Sequence, residues 1–330
     1  MQYRKLGRTG LHVSATCLGT MIYGKQVDEK ESISIIEKAL DSGINFIDSA
    51  DFIYADGRAE EIVGKVLKGK RQSVILTTKV AYRSGPGVND LGLSRKHIMD
   101  GIESSLRQLQ TDYIDIYYAH LWDNDTPLEV TLRAFDDLVS QGKVRYIACT
   151  NFRVWQLSKA LWTSDKHNLV RFDCYQPPYN LLTRDIDDEL LPLCASEELG
   201  VCTYNPLAGG MLTGKYDINK TPTEGRFTLD YLGPVYHDRY WSTGNFEAIA
   251  RFKELAQTLG CTLPQFAIAW ILSNKIVTSV ILGVSSIKQL EENIKATEIK
   301  LSEAELKICD EMWYNLRPPR FSYASQQLKR

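Results

Sequence analysis

Eight short apolar runs, beginning near Cys17, Ile44, Val74, Tyr113, Val144, Phe172, Val201 and Val280, alternate with amphipathic segments along the chain, and no other feature restricts its fold so strongly. Strands that read as continuous apolar runs are buried on both faces, and a crossover helix after each makes the sheet parallel. Eight is the number that closes such a sheet into a barrel. The intervening segments have helical spacing: Ile33, Ile36 and Leu40 share one face, as do Ile98, Ile102, Leu106 and Leu109. Thr126-Pro127 opens another helix, with proline in its first turn, and Gln141-Gly142 ends it. Further helices are predicted over 154–162, 186–198, 246–259, 264–272 and 287–296. Tyr3 to Leu6 and Leu11 to Ser14 flank a glycine turn and predict a hairpin. The expected fold is therefore α/β: a (β/α)8 TIM barrel with an N-terminal β-hairpin and extra C-terminal helices, in a single domain over 1–330. An open doubly wound sheet is the alternative, but no G-x-G-x-x-G follows the first strand. Residues 213–245, polar and rich in glycine and aromatics, and the tail beyond Leu301 exceed what a barrel needs.

In β/α barrels the chemistry sits where strands hand over to helices. Ile44, Phe46 and Ile47 deliver Asp48 to such an edge, and the left-handed-tolerant corner Asp56-Gly57 leads into Glu60, Ile62, Val63, Val66 and Leu67 at helical spacing, with Tyr54 between. The next strand ends on Lys79 and the one after on His120. Alone, each has a bland reading: Asp48 as a cap, Tyr54 as a rim aromatic, Lys79 as a solvated strand end, His120 as a core histidine. Together they form a set suited to carbonyl reduction, which needs a proton at oxygen as hydride reaches carbon. Tyr54 is the candidate acid, Lys79 a cation to lower its pKa, Asp48 the counter-charge of a buried lysine, and His120 an orienting or relay group. Trp122, Tyr82, Trp241 and Tyr231 are candidate pocket aromatics.

A net charge of -2 with 44% apolar residues describes an ordinary globular protein, with no basic excess for nucleic acid or a membrane surface. Without an apolar leader or a run of roughly 18 apolar residues, a cytoplasmic location is expected. Seven scattered cysteines lacking any C-x-x-C pair suggest neither zinc nor a disulfide framework, so they are expected to fill the core, and no metal site is expected.

Several stretches carry a resemblance: Leu18-Gly19-Thr20, the Asp48 segment, Tyr54-Ala55-Asp56-Gly57-Arg58-Ala59-Glu60, Gly92 to Ile98, Asn205-Pro206-Leu207-Ala208-Gly209-Gly210, Gly214-Lys215-Tyr216 and Gly260 to Gln265. From Tyr3 to about Ile299 the chain resembles the aldo-keto reductase superfamily, and within it the branch of the voltage-gated potassium-channel β subunits and their bacterial relatives. The resemblance implies a (β/α)8 barrel, NADP(H) as cofactor, a small carbonyl compound as substrate and a homo-oligomeric assembly. It places Gly19, Thr20, Met21 and Gln26 along the middle and nicotinamide side of the cofactor, with Asp48 near its reactive end. Thr150, Asn151 and Gln176 match the carboxamide-binding positions, and Tyr204 matches the aromatic that stacks on the nicotinamide ring. Asn205, Pro206, Leu207, Ala208 and Gly210, with Lys215 and Arg226, match the pyrophosphate wrap. Ser285, Lys288, Gln289, Glu292 and Asn293 match the adenosine-phosphate cluster. Elementary physics supports a phosphate there too, because Gly283-Val284-Ser285-Ser286 opens a helix whose first N-H groups are free.

Two departures from the family pattern bear on function. The family usually sets four residues between its Asp and Tyr, whereas five separate Asp48 from Tyr54, putting Ile53 at the usual spacing. Tyr54 keeps its downstream match and takes the acid role. His120 stands where the channel β subunits have asparagine, which favours an enzyme over a cofactor-sensing regulatory protein.

Overall fold

Gly7 and Gly10, with φ of +50° and +79°, fold the chain back so that β1 (Tyr3–Lys5) pairs antiparallel with β2 (His12–Ser14). In this computed structural model, which describes residues 1–230 and 233–317, the hairpin lies across one end of a closed barrel. The barrel comprises β3 (Thr16–Gly19), β4 (Phe46–Asp48), β5 (Ile75–Val80), β6 (Ile114–Ala119), β7 (Val144–Thr150), β8 (Phe172–Gln176), β9 (Gly200–Thr203) and β10 (Ser279–Gly283), each parallel to its neighbours. Closure comes from β10 on β3, with Val280 opposite Thr16 and Gly283 opposite Gly19. The sequence-derived strand starts differ from the observed ones by two residues at most, and the expected (β/α)8 fold with its hairpin is confirmed.

The first six strands are followed by α1 (Glu29–Asp41), α2 (Arg58–Leu67), α3 (Arg95–Gln108), α4 (Leu128–Ser140), α5 (Val154–His167) and α6 (Leu190–Ser196). Asp28 and Ser94 cap α1 and α3 by accepting the amides of Glu31 and His97. Pro127 proves to be the N-cap of α4 rather than a first-turn residue. The fifth helix runs on to His167, where Asn168 at φ +50° ends it, beyond the 154–162 expected. The excursion after β9 contains α7 (Gly233–Tyr240) and most of it is ordered by aromatic contacts, Trp241 packing against Tyr216, Phe227, His237 and Phe246. Then come α8 (Thr243–Thr258), α9 (Leu263–Ser273), α10 (Ile287–Ile294) and, in the tail, α11 (Glu303–Leu316). Almost all of α9 is buried, because α8 and α10 cover the sides it turns away from the sheet. Among the described residues no single helix is long and apolar enough to cross a membrane.

Two apolar layers follow from the two-residue period of the strands. One lies between barrel and helices; the other fills the barrel with Cys17, Phe46, Ile116, Tyr118, Ala148, Cys174, Cys202 and Ile281, and Leu6 and Val13 of the hairpin join it. On β5 the alternation puts Leu76 and Val80 in the outer layer and leaves Thr77 and Lys79 as its buried polar side chains on the other face. Six of the seven cysteines are buried, as expected of core residues.

Candidate active site

The polar face of β5 explains the site, because a lysine with 0% exposure requires a counter-charge. Asp48 at the end of β4 supplies it. Lys79 Nζ donates to both Asp48 carboxylate oxygens and to the Ser49 carbonyl, each at 2.7 Å, so its three N-H groups are fully used. Asp48 Oδ1 also accepts from Thr77 Oγ1 at 2.9 Å and from Gln176 Nε2 at 2.9 Å. In the strand order β4 and β8 are opposite, so the Gln176 to Asp48 bond crosses the barrel mouth. Thr150 Oγ1 donates to the Gln176 backbone carbonyl at 2.6 Å and ties β7 into the same network.

Tyr54 comes into this network despite the additional residue before it. Lys79 Nζ lies 5.3 Å from the Tyr54 ring centroid, and the Tyr54 and His120 rings are 6.4 Å apart, edge to face. The extra length is taken up by Phe52 and Ile53, 41% and 45% exposed, which lie out at the surface while Tyr54 stays half-buried. Left-handed backbone at Ala55, Asp56 and Gly57 (φ +54°, +57° and +86°) then turns the chain into α2, as the Asp56-Gly57 corner led one to expect. Ile53 therefore does not replace the tyrosine at the conventional spacing. Among the described residues nothing hydrogen-bonds the Tyr54 hydroxyl.

The electrostatics correct one expectation. Burial, and then the negative charge of Asp48, push the Tyr54 hydroxyl well above its ordinary pKa instead of lowering it. Lys79, paired with Asp48 at hydrogen-bond distance, does not outweigh these effects. The phenol is thus held protonated. His120, buried beside Lys79, is driven well below its ordinary pKa and is neutral. Its Nδ1 is buried without a partner, its carbonyl accepts from Asn151 Nδ2 at 3.1 Å, and Tyr82 packs edge-on at 4.7 Å. A protonated hydroxyl beside a neutral imidazole and a charge-balanced lysine can give a proton to an oxygen that becomes basic.

The remaining candidates divide into three groups. Around the mouth, Tyr204 Oη donates to Asn151 Oδ1 at 2.8 Å, and Thr20 Oγ1 reaches the Asp48 carbonyl at 3.1 Å, so both border the network. Gly19 is there for packing as well: a Cβ on it would come 2.7 Å from the Ile281 side chain. Met21 is half-buried near this edge, whereas Gln26 is exposed.

In the loop after β9, Asn205 Oδ1 accepts from the Gly209 amide at 2.7 Å and its Nδ2 donates to Tyr240 Oη at 2.8 Å. Asn205, Ala208, Gly209 and Gly210 all have positive φ, and the amides of Ala208 and Gly210 turn back on the Asn205 and Leu207 carbonyls. Pro206 and Leu207 complete this tight turn.

The third group gathers at the end of β10. A Cβ on Gly283 would lie 3.3 Å from Arg226 Nη2, so this cation of the excursion approaches the start of α10, while Lys215 Nζ would lie 3.4 Å from a Cβ on Gly225, the residue before Arg226. Arg226 is steered by Tyr236, whose hydroxyl accepts from Nη1 at 2.9 Å, while Lys215 pairs with Glu224 at 2.9 Å. Ser285 N and Oγ both bond Gln289 Oε1, and Ser286 caps the helix. Lys288 is exposed, Glu292 half-buried and Asn293 buried on the same helix. Cations and a helix N-terminus around a glycine cradle fit a nucleotide phosphate.

Sequence reasoning missed Ser49, Thr77 and Tyr240, which hold Lys79, Asp48 and Asn205; their only signal was proximity to named residues. Trp122 packs against Phe152 and Trp155, and Trp241 belongs to the excursion cluster, so of the proposed pocket aromatics only Tyr82 adjoins the network; Tyr231 lies outside the described residues.

A closed parallel barrel with titratable side chains gathered at the C-terminal strand ends belongs with the (β/α)8 proteins, which carry their sites at that mouth. Residues 15–314 match the aldo/keto reductase family, and the chain belongs to it. The family is one of carbonyl-reducing oxidoreductases that generally bind NADP(H). Two plant proteins, each named a probable voltage-gated potassium channel subunit beta, are similar to it. The Arabidopsis thaliana protein is 39% identical over 304 residues, 91% of this chain and 92% of the relative. That of Oryza sativa subsp. japonica is 38% identical over 304 residues, again 91% of this chain and 92% of the relative.

Proposed function

We propose that this protein reduces a small aldehyde, ketone or sugar-derived carbonyl to the alcohol, with Tyr54 as the proton donor. The observation that carries this reading is the approach of Tyr54 to both Lys79 and His120 in spite of the additional residue before it. Bound NADPH would supply hydride to the carbonyl carbon. Arg226, Lys215 and the Ser285 to Asn293 helix would hold its phosphates, Tyr204 would stack on its ring, and Asn151 and Gln176 would meet the carboxamide. As negative charge develops on the carbonyl oxygen, the protonated Tyr54 hydroxyl donates to it, an alkoxide being more basic than a phenolate. His120, neutral at working pH, orients the same oxygen by a hydrogen bond, and the Lys79 charge lowers the energy of the phenolate left behind. Asp48 keeps Lys79 in place.

The test is absorbance at 340 nm with NADPH and a panel of carbonyls. Tyr54→Phe is expected to lower turnover by roughly 10² to 10⁴-fold while the NADPH dissociation constant changes by less than about tenfold. Undiminished turnover in Tyr54→Phe would overturn the assignment. A second reading, a nicotinamide-sensing regulatory subunit, is favoured by the names of the two plant relatives. Tight NADPH binding without reduction of any carbonyl by the parent would select it.

A further inference from the structure

Behind Tyr54, on the side facing α2 and α3, lies a cavity of about 260 Å³ to which none of Tyr54, Lys79 and His120 contributes a wall. Two carboxyl groups line it without being satisfied. Asp51, 5% exposed, has neither oxygen in good hydrogen-bond geometry, only the Ile53 amide lying close by, and Glu60, 0% exposed, uses Oε1 to accept from Thr78 Oγ1 at 2.6 Å and leaves Oε2 unpaired, with the equally unpaired Ser105 hydroxyl nearby. Buried acceptors are ordinarily paired, so two orphaned carboxyls on one cavity call for donors.

We propose that this cavity is a binding site for a small organic cation bearing N-H donors, an alkylammonium or alkylguanidinium. Its walls carry no lysine or arginine, and Asp90 and Asp100 add further acidic groups from the β5–α3 loop and from α3. Asp100 is matched by Lys96 outside, and Asp90 accepts the Gly87 amide, so neither competes for Asp51 or Glu60. Ser84, Ser104 and Gln108 offer neutral acceptors for the remaining N-H groups, and Phe52 supplies an apolar wall for a methylene chain. A bare metal ion suits the site less: among the described residues no group of three or more His, Cys, Asp or Glu side chains is placed to hold one. The volume lies just under the usual range for drug-sized ligands, which favours a compact amine.

Binding is then coupled to protons. Burial pushes Asp51 up to about 7, against smaller opposing effects of the Ile53 amide and then Lys79, and Glu60 up to about 8, against the Thr78 and Ser105 hydroxyls and with the Asp51 charge adding to the rise. His97, the histidine on the wall beside the Asp90 and Asp100 carboxyls, is shifted down by burial and stays neutral; Tyr117, behind Glu60, is pushed well above its ordinary value and keeps its proton. Near neutral pH the empty site therefore holds protons that a cation must displace, so affinity rises with pH through this window while the ligand's own charge is constant.

Calorimetry of the intact protein with agmatine, which has both an ammonium and a guanidinium end, tests the proposal, with choline as a cation lacking N-H donors. Expected are one site per chain, affinity at least about tenfold higher at pH 8.5 than at pH 6, and proton release that depends on the buffer. Asp51→Asn and Glu60→Gln should each weaken agmatine by about tenfold or more. Ser104→Phe, which fills the cavity from α3 and leaves both carboxyls intact, should block binding by itself and keeps the test decisive if a carboxyl variant fails to fold. The proposal is overturned if the parent does not bind agmatine at millimolar concentration, if choline binds as well, or if Ser104→Phe or the folded carboxyl variants bind undiminished.

Discussion

Glu60→Gln should stabilise this protein in alkali and have little effect in acid. The glutamate is sealed between α2 and β5, and burial raises its carboxyl from 4.5 to about 8. An acid whose folded pKa is raised binds more protons native than unfolded across that interval, so stability falls as pH climbs from about 4.5 through about 8 and levels off above it. Each factor of ten in proton affinity is about 1.36 kcal/mol, so at about pH 9 the ionised side chain costs on the order of 4 kcal/mol more than at about pH 5. Glutamine can keep an oxygen for the Thr78 hydroxyl and has no charge to bury. Folding entropies scale with length, and for 330 residues 4 kcal/mol corresponds to a Tm difference of about 6 °C. Melting temperatures of parent and variant across that range, without added amine, should converge near pH 5, separate steadily from about pH 5 to about pH 8 and keep a constant gap above about pH 9. Parallel curves would refute the reasoning, since they would mean that the carboxyl ionises in the fold as readily as in water.

Three other outcomes follow from the geometry. Lys79→Met strands the Asp48 carboxylate with only Thr77 and Gln176 as side-chain donors; a loss of about 3 to 5 kcal/mol is expected, read as a fall in urea midpoint, together with loss of carbonyl reduction. Because Arg226 lies beside Gly283, next to the Ser285 cluster as well as the pyrophosphate loop, Arg226→Ala should narrow the preference for NADPH over NADH by roughly 1.5 to 3 kcal/mol, the value of one charged contact to a phosphate, measured by fluorescence titration of both cofactors; an unchanged ratio would place the 2'-phosphate elsewhere. Gly7→Ala and Gly10→Ala form a matched pair, both at positive φ, but only at Gly7 would the new Cβ meet the Gly200 amide at 2.4 Å, with nothing within 4 Å at Gly10. The first should lower Tm clearly more than the second, whose cost is the left-handed backbone alone, about 1 to 2 kcal/mol.

Much of this architecture was legible because barrels write it in a local code. A strand buried on both faces must be an apolar run, and the seam between run and turn gave the places of Asp48, Lys79 and His120 within one or two residues. What the sequence hid was long-range or conformational. Counting from Asp48 puts Ile53 at the position of the acid; only the folded structure shows Phe52 and Ile53 looped out at the surface and Tyr54 turned back towards Lys79. That Lys79 does not bring the Tyr54 pKa below its ordinary value depends on three hydrogen bonds, one to a backbone carbonyl, which no residue pattern encodes. The Gln176 contact with Asp48 joins residues 128 positions apart. Helix α7 was missed because its sequence is rich in tyrosine and polar groups and has no clear apolar stripe, being ordered by packing within the excursion. Asp51 passed as a turn residue, and Glu60 as part of an amphipathic helix, because burial without a partner cannot be read from spacing.

The closure of β10 on β3 also sets a clock for biosynthesis. Gly19 waits for Gly283, a separation of 283 − 19 = 264 residues. At about 5 to 20 residues per second, a ribosome needs roughly 13 to 50 s to cover that distance. Throughout that interval one side of Thr16 to Gly19 is a strand edge without its partner, the kind of edge that recruits other chains. A synonymous codon that slows translation anywhere between the two strands would lengthen this exposure without changing a single side chain of the finished protein.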